Sequence, residues 1–254
     1  MAYMIAIILA AGYGTRILPL IGTFPKALIE VRGETLLDRL CDELETLPSV
    51  REIKIVSNDL FFSKFALWAE QRNTNGRKIE IINNGTRSVE KRLGAIGDLA
   101  FAVRECGISS AIFVAASDCY FTFPLKDMYE RFLKKGGNWI AAARESDPSV
   151  LVDAAVIEID TDERITYMEE KPAKPSSDLG ALPFYIYEAA TLKLVYDYLS
   201  EGGNPDSPGR FPEWLYKRRK VAAFVINKAY ECEDLGMPES YIQIQGSVPV
   251  STNK

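Results

Sequence analysis

Apolar runs alternate with helical patterns along the first 150 residues. Strands are predicted by unbroken apolar stretches at residues 4–9, 111–116 and 139–143, and by isoleucines that alternate with charged residues at 52–57 and 78–82. Apolar positions that recur every three or four residues predict helices at residues 36–47, 60–72, 92–105 and 126–134. Strands that alternate with helices over short connections are typical of a mostly parallel sheet covered on both faces. The sequence therefore predicts an α/β, Rossmann-like fold.

The pattern changes after about residue 150. Residues 154–159 and 164–169 flank D-T-D-E and predict a hairpin, and residues 201–210, E-G-G-N-P-D-S-P-G-R, predict an exposed loop. The remaining predicted elements are a strand at 184–187, a helix ending at 199, a strand at 221–226 and a helix at 238–243. We expect one domain over 1–254, with a larger part at about 1–150 and a smaller lobe at about 151–254 built onto the same sheet.

The ionisable side chains restrict the chemistry. Thirty Lys and Arg against 35 Asp and Glu give a net charge of -5, and no long basic run is present, so we expect no nucleic-acid partner. The chain has no histidine. This absence removes the commonest general base and every histidine-based triad or zinc site. Catalysis would depend on carboxylates, cations, backbone amides and a hard metal ion.

The apolar and cysteine residues suggest where the protein works. No stretch of 18 apolar residues is present, so we expect no membrane-spanning helix. The four cysteines are far apart and form no C-x-x-C pair, which is typical of a reduced, cytoplasmic protein. Whether the chain forms a homo-oligomer cannot be predicted from these features.

The stretch IILAAGYGTRILPLIGTFPKALIEV, residues 7–31, contains the clearest candidate for a binding site. A buried strand ends at Leu9, and a nearly side-chain-free loop follows it. Such a loop lets backbone amides approach an anion, and in open α/β sheets ligands bind beyond the carboxyl ends of the strands. Arg16 and Lys26 add a planar fork and a point charge suited to phosphate. By itself the loop is equally compatible with a tight turn, since it matches neither the P-loop nor G-x-G-x-x-G.

Five segments in order resemble those of the sugar-1-phosphate nucleotidyltransferases, in particular glucose-1-phosphate thymidylyltransferase-like enzymes. They are LAAGYGTR with PKALIEV, RLGAIGDLAFA at 92–102, VAASDCYF at 114–121, EEKPAKPSSDLG at 169–180 and ECEDLGMPESY at 231–241. The resemblance covers nearly the whole chain. It implies a glycosyltransferase-A-like fold and transfer of a nucleotidyl group from a nucleoside triphosphate to a sugar 1-phosphate.

The resemblance also implies roles for individual residues. Arg16, Lys26 and Lys171 would be catalytic, Asp118 and Asp234 would hold Mg²⁺, and Glu170 with Lys171 would bind the sugar phosphate. The nucleotide-binding residues would be Leu9, Ala10, Ala11, Gly12, Gly14, Thr15, Arg16 and Gly94. Two carboxylates together with substrate oxygens and water are ligands that suit octahedral Mg²⁺.

Each of these residues also has a purely structural interpretation. Asp118 could be a turn residue or a helix cap, Asp234 a loop carboxylate, and Lys171 a solvated charge. Asp98 is expected to be a charge on a helix surface, and Thr35 to start a helix. Only the occurrence of the motifs together favours the functional interpretation.

Several positions depart from the family pattern. Ala154 and Ala155 stand where glycine is common, and Pro183 begins a segment that often reads G-x-Y. Because these segments approach the sugar, we expect an unusual acceptor. Cys119 stands where asparagine is common, and Cys232 lies two residues before Asp234. One hypothesis is therefore that the site is sensitive to thiol reagents or soft metals, and the other is that both cysteines are inert.

Two further functions stay open. A cytidylyltransferase acting on a non-sugar phosphate such as phosphocholine would need an aromatic cage, for which Tyr185, Tyr187 and Trp214 are candidates. A non-catalytic nucleotide-binding module would keep the fold without the chemistry. The sequence predicts neither the nucleobase nor the acceptor.

Overall fold

The computed structural model describes residues 3–72, 77–236 and 238–246. The strands are β1 (Met4–Leu9), β2 (Glu30–Val31), β3 (Glu34–Thr35), β4 (Val50–Ser57), β5 (Lys78–Asn83), β6 (Ala111–Ala116), β7 (Cys119–Phe121), β8 (Asn138–Arg144), β9 (Ala155–Ile159), β10 (Ile165–Glu170), β11 (Leu179–Tyr187), β12 (Val221–Val225) and β13 (Cys232–Asp234). The α-helices are α1 (Leu18–Ile21), α2 (Leu36–Glu45), α3 (Phe62–Arg72), α4 (Ala95–Glu105), α5 (Leu125–Lys135), α6 (Pro148–Leu151), α7 (Leu192–Ser200), α8 (Arg210–Leu215) and α9 (Pro238–Gly246).

Nine strands form one sheet in the order β10-β9-β11-β6-β1-β4-β5, with β8 pairing β11 and β12 pairing β8. The pairs β1–β4, β1–β6, β4–β5 and β8–β12 are parallel, whereas β11 is antiparallel to β6, β8 and β9. The predicted α/β, Rossmann-like architecture is confirmed. Strands β9 to β12, which follow residue 150, join this same sheet, and β13 pairs with β7 in a separate two-stranded sheet. The functional division near residue 150 stays a prediction.

Alternation along β1 places apolar side chains on both faces of the sheet. Ala6 and Ile8 pack into the core under α2, α3 and α5, whereas Ile5 and Ile7 pack into the core under α4 and α7. A strand covered on both faces has to be apolar throughout, which explains the unbroken run that predicted it. A third, smaller cluster joins Ile17, Tyr120 and Leu235 beneath the loop after β1.

Local signals set several helix ends. Thr35 caps α2, its hydroxyl accepting a hydrogen bond from the Asp38 backbone N–H at 2.9 Å, as expected. Helix α4 begins at Ala95 rather than at 92, because Gly94 has φ +79° and ψ 164°, a conformation that is not helical. Sequence patterns miss β7, β13 and α8, since three to six residues contain too little periodicity.

Candidate active site

The predicted residues come from loops at one edge of the sheet. Because β1 and β6 are parallel, the loop after Leu9 and the segment starting at Ser117 leave the sheet side by side. The antiparallel register then places Gly180 of β11 opposite Val156, and Ala155 opposite Glu170. The carboxyl ends of β1, β6 and β10 therefore lie at about the same height along the sheet.

Two hydrogen bonds stabilise the loop after β1, one to a backbone carbonyl of the loop and one from a tyrosine side chain. Asn58 Nδ2 donates a hydrogen bond to the Ala11 carbonyl at 3.0 Å, and the buried Tyr13 hydroxyl donates one to Thr86 Oγ1 at 3.1 Å. Gly14 has φ +62°, and a Cβ there would lie 3.3 Å from Cγ of Lys26. A bare backbone at Gly14 thus leaves room for the Lys26 side chain beside the loop.

Lys26 and Asp118 form an ion pair. Lys26 Nζ lies 2.6 Å from Asp118 Oδ2, and the two side chains are 16% and 30% exposed. Burial alone would lower the pKa of Lys26, but the Asp118 carboxylate more than offsets this, so the pKa is raised. The ammonium therefore stays charged at neutral pH.

The pairing of β7 with β13 brings Asp234 to the same place. Asp234 lies opposite Cys119, and the Leu235 N–H donates a hydrogen bond to the Asp118 carbonyl at 2.9 Å. Burial, followed by the negative charge of Asp118, raises the pKa of Asp234, while Lys26 and Arg16 oppose that shift. Arg16 thus acts electrostatically on the same carboxylate, so four of the predicted residues are brought together.

This cluster has the donors expected of a divalent-cation site. One ligand atom from each of Asp118, Cys119 and Asp234 lies within 4.8 Å of the other two. Two neighbouring carboxylates, of which Asp118 is half-buried and Asp234 is exposed, fit a hard cation such as Mg²⁺. Their role as Mg²⁺ ligands stays a prediction.

Glu170 and Lys171 lie at the end of β10, but in different surroundings. Glu170 is 6% exposed, and the Ser207 hydroxyl donates a hydrogen bond to its Oε1. Lys171 is exposed, has φ +53°, and makes no ion pair within the described part of the chain. Burial, followed by the nearby Glu170 charge, raises the pKa of Tyr185.

Residues 204–209, called the strap below, connect the two halves of the site. The Pro205 carbonyl accepts a hydrogen bond from the Ile96 N–H at 2.8 Å, and Asp206 forms a two-point ion pair with Arg92. A Cβ added to Gly94 would overlap the Pro205 carbonyl, and one added to Gly209 would overlap Glu170 Oε2. The prediction of an exposed loop is confirmed for residues 201–202 and 204–206, which are exposed, and the inner atoms of the strap also pack against both halves of the site.

Asp98 was expected to be a charge on a helix surface, and the structure shows that this prediction is wrong. It is 6% exposed, and Asn84 Nδ2 donates a hydrogen bond to its Oδ1 at 2.7 Å. Burial raises its pKa to about 6, and the nearby Asp206 charge adds to that shift. Asn84 Oδ1 in turn accepts a hydrogen bond at 2.8 Å from Thr86 Oγ1, the partner of Tyr13. A continuous network thus joins the loop after β1 to helix α4.

The two cysteines near the aspartates are close to each other, as the thiol hypothesis requires. Cys119 is buried, and a hydrogen bond with the Cys232 thiol, together with burial, raises its pKa. All four cysteines are free thiols. The hypothesis of sensitivity to thiol reagents or soft metals stays a prediction.

A cavity of about 270 Å³ opens at the same edge of the sheet, between the ends of β8 and β12. Arg144, Asp178, Ile226 and Lys228 are among the residues that line it. None of the predicted site residues does so. Sequence reasoning had no signal for this cavity, because it depends on how two strand ends and the start of β11 pack together.

Comparison with known proteins agrees with this geometry. A family model described as nucleotidyl transferase matches residues 5–249. A Sulfolobus acidocaldarius protein that carries the provisional name mannose-1-phosphate guanyltransferase is 27% identical over 94% of this chain and 61% of its own length. A glucose-1-phosphate thymidylyltransferase from Actinoplanes is 25% identical over 76% of this chain and 60% of its own. The chain thus spans about three-fifths of the length of these two relatives.

The fold also matches a solved structure. A UDP-glucose pyrophosphorylase in complex with UDP-glucose superposes with a TM-score of 0.78 at 18% identity, over 97% of this chain and 98% of the other. This likeness shows that the two proteins share a fold. Within the ranges that the structure describes, no helix combines the length and apolar character needed to cross a membrane.

Proposed function

The chain belongs to the nucleotidyl transferase family, and on that premise we propose that it joins a nucleoside triphosphate to a sugar 1-phosphate. An oxygen of the sugar phosphate attacks the α-phosphorus, and the bond from that phosphorus to the β-phosphate bridging oxygen breaks. The products are an NDP-sugar and pyrophosphate. The observation that carries the proposal is the gathering of Lys26, Asp118 and Asp234 beside the loop after β1.

The attacking group explains why such a site needs no strong base. The second pKa of a phosphate monoester is about 6, so the nucleophile is already largely ionised at neutral pH. A protein without histidine can therefore perform this reaction. What it has to supply is alignment of two anions and compensation of their charge.

The cations of this chain have distinct places in that task. The loop amides and Arg16 would hold the triphosphate, and Lys26 would balance charge that moves onto pyrophosphate. Lys171, exposed at the end of β10, would attract the sugar phosphate. Asp118 and Asp234 would hold Mg²⁺, which supplies charge neutralisation of phosphate oxygens when bound.

The Lys26–Asp118 ion pair has a further consequence. Because Lys26 is the partner of Asp118, the ammonium compensates part of the negative charge that acts on Asp234. The ion pair therefore stabilises two carboxylates that lie close together beside the loop after β1.

The phosphocholine alternative requires an aromatic cage, and the three candidate aromatic residues do not form one. Tyr185 and Tyr187 are 5% and 1% exposed and stack at 5.8 Å inside the core. The third candidate, Trp214, is covered by Arg218, whose guanidinium carbon lies 3.9 Å from the ring centroid. The aromatic residues that kept this alternative open therefore do not favour it.

A panel of reactions tests the proposed function. Pyrophosphate release is measured with dTTP, UTP, CTP and GTP, each combined with several sugar 1-phosphates in the presence of Mg²⁺. We expect at least one pair to react, and Asp118→Asn to lower its turnover by about 10²-fold or more. Asp127→Asn, an exposed aspartate in the first turn of α5, is the control and should retain full activity. Silence across the panel would favour a non-catalytic module instead.

A cytoplasmic location stays a prediction, and the base and the acceptor are what the panel determines. The two relatives above differ in the nucleotide that their names specify. For this reason the panel has to vary the base and the sugar independently.

A further inference from the structure

A sulfur atom lies among the carboxylates of the candidate cation site. Cys119 directly follows Asp118 and stands opposite Asp234 in the β7–β13 pair. The three side chains present a thiol sulfur and two carboxylate oxygens within 4.8 Å of one another. Cys119 itself is 7% exposed, so its sulfur reaches the site from the side of the protein core.

The separations are close to those that one thiophilic ion requires. Zinc binds thiolate sulfur at about 2.3 Å and carboxylate oxygen at about 2.0–2.2 Å, so two ligands of one ion lie at most about 4.5 Å apart. Atoms within 4.8 Å of one another reach that range by shifts of a few tenths of an ångström. Short side chains on two paired strands can make such shifts without moving the backbone.

The sulfur changes which cation the site should favour. Mg²⁺ takes oxygen ligands almost exclusively, whereas thiolate ligands favour zinc and other soft ions. An asparagine at this position, as is common in the resembling enzymes, would leave an all-oxygen site. The residue that departs from the family pattern is therefore the one that supplies a different kind of donor.

We propose that Asp118, Cys119 and Asp234 form a mixed oxygen–sulfur site that binds thiophilic divalent cations, with Cys119 Sγ as a direct ligand. The thiol proton passes to solvent when the ion binds. The inference builds on the proposed function only in taking the two aspartates as the cation site of that reaction. It assigns to this site a sulfur donor in addition to the two carboxylates.

Cadmium is the probe, because its bond to thiolate gives an ultraviolet charge-transfer absorption that oxygen ligands do not give. The full chain, reduced with a phosphine, is titrated with Cd²⁺ alone, without nucleotide or sugar. We expect the absorption to saturate at one equivalent. Cys119→Ser should abolish it and weaken Cd²⁺ binding at least tenfold, since even the loss of an outer partner of a metal ligand costs about 10–100-fold.

Three further proteins make the result decisive. Cys119→Ala provides a second test if the serine variant folds poorly, and Asp234→Asn should lower the affinity while keeping the absorption. Cys106→Ala is the matched control, since Cys106 is a half-buried thiol at the end of α4, away from the aspartates. It should behave like the wild type.

Absorption that persists in both Cys119 variants, or disappears in Cys106→Ala, would overturn the proposal. So would wild-type protein that binds Cd²⁺ without any sulfur absorption. The pyrophosphate panel is a separate readout. Cys119-dependent Cd²⁺ binding in an inactive protein would refute the proposed function alone, and an active enzyme without the absorption would refute only the mixed site.

Discussion

Replacing Asp98 by asparagine would remove a carboxylate that the fold holds away from water. Asp98 is 6% exposed, accepts a hydrogen bond from Asn84 Nδ2, and lies within electrostatic reach of Asp206. The described interactions include no cation paired directly with it. Asparagine has nearly the same shape, and its carbonyl oxygen can accept the Asn84 hydrogen bond. The substitution therefore tests the cost of the charge with little change in packing.

The size of that cost follows from the pKa. Burial raises the pKa of Asp98 to about 6, from the ordinary value of 3.8. Between these pH values the unfolded chain has lost its proton while the folded protein has kept it, so the wild type loses stability as the pH rises through this window. The loss is about 0.5 kcal/mol at pH 4 and approaches about 3 kcal/mol above pH 7. Asp98→Asn should not show this loss of stability, because asparagine has no carboxyl group that ionises.

Urea unfolding at pH 4, 5, 6 and 7.5 measures the effect. The free energy of unfolding of Asp98→Asn minus that of the wild type should become more positive by about 2.5 kcal/mol over this range. Asp127→Asn, in the first turn of α5 and exposed, should differ from the wild type by no more than about 0.5 kcal/mol at each pH. A difference for Asp98→Asn that does not vary with pH would show that the carboxylate ionises as easily as one in water, and the reasoning would fail.

Three other substitutions test the strap and the edge of the sheet. Gly94→Ala should destabilise the fold by about 2–5 kcal/mol in urea unfolding, because its backbone conformation is nearly exclusive to glycine and its Cβ would overlap the strap. Ser207→Ala should raise KM for the sugar phosphate and leave KM for the triphosphate within about twofold, since Ser207 holds the Glu170 carboxylate and no phosphate-loop atom. Lys171→Ala should lower kcat/KM by about 10²-fold, measured by pyrophosphate release.

Two of these substitutions have a matched control. Gly22→Ala also introduces a side chain at positive φ, +59°, but into open space, so it should cost only about 1–2 kcal/mol. Lys174→Ala removes an exposed lysine three residues from Lys171 and should leave turnover unchanged. Equal destabilisation by the two glycine variants would mean that the strap does not press on Gly94. Equal effects of Ser207→Ala on both KM values would make Ser207 a general stabilising residue.

The main sheet could be predicted because its strands have a distinctive local pattern of apolar residues. The run at β6 was predicted at the observed residues 111–116, since a strand buried on both faces needs apolar side chains at every position. The three residues of β7 and of β13 have no such signature. They are strands only because they pair with each other across more than a hundred residues of chain. That pairing positions Asp234, so the sequence could predict the residue and not the strand that holds it.

The same distinction explains what was missed at the site. Lys26 and Asp118 were predicted from motifs as site residues, but the ion pair between them, at 2.6 Å, was not predicted. Asp98 was taken for a surface charge because helical aspartates usually are. Its burial comes from Asn84 and from a strap more than a hundred residues further along the chain.

The strap shows what a turn-rich composition does not predict. Proline, aspartate, serine and glycine predict a turn, but they are also small or rigid enough to approach other backbone closely. Gly209 fits against Glu170 because it has no side chain, and Pro205 offers its carbonyl to the start of α4. The backbone freedom that marks a loop in the sequence is here what lets the loop bring the two halves of the site into contact. Only the residues that such a loop contacts distinguish it from a solvated loop. Those contacts are distant in sequence, since Ser207 is 37 positions from Glu170 and Asp206 is 114 positions from Arg92.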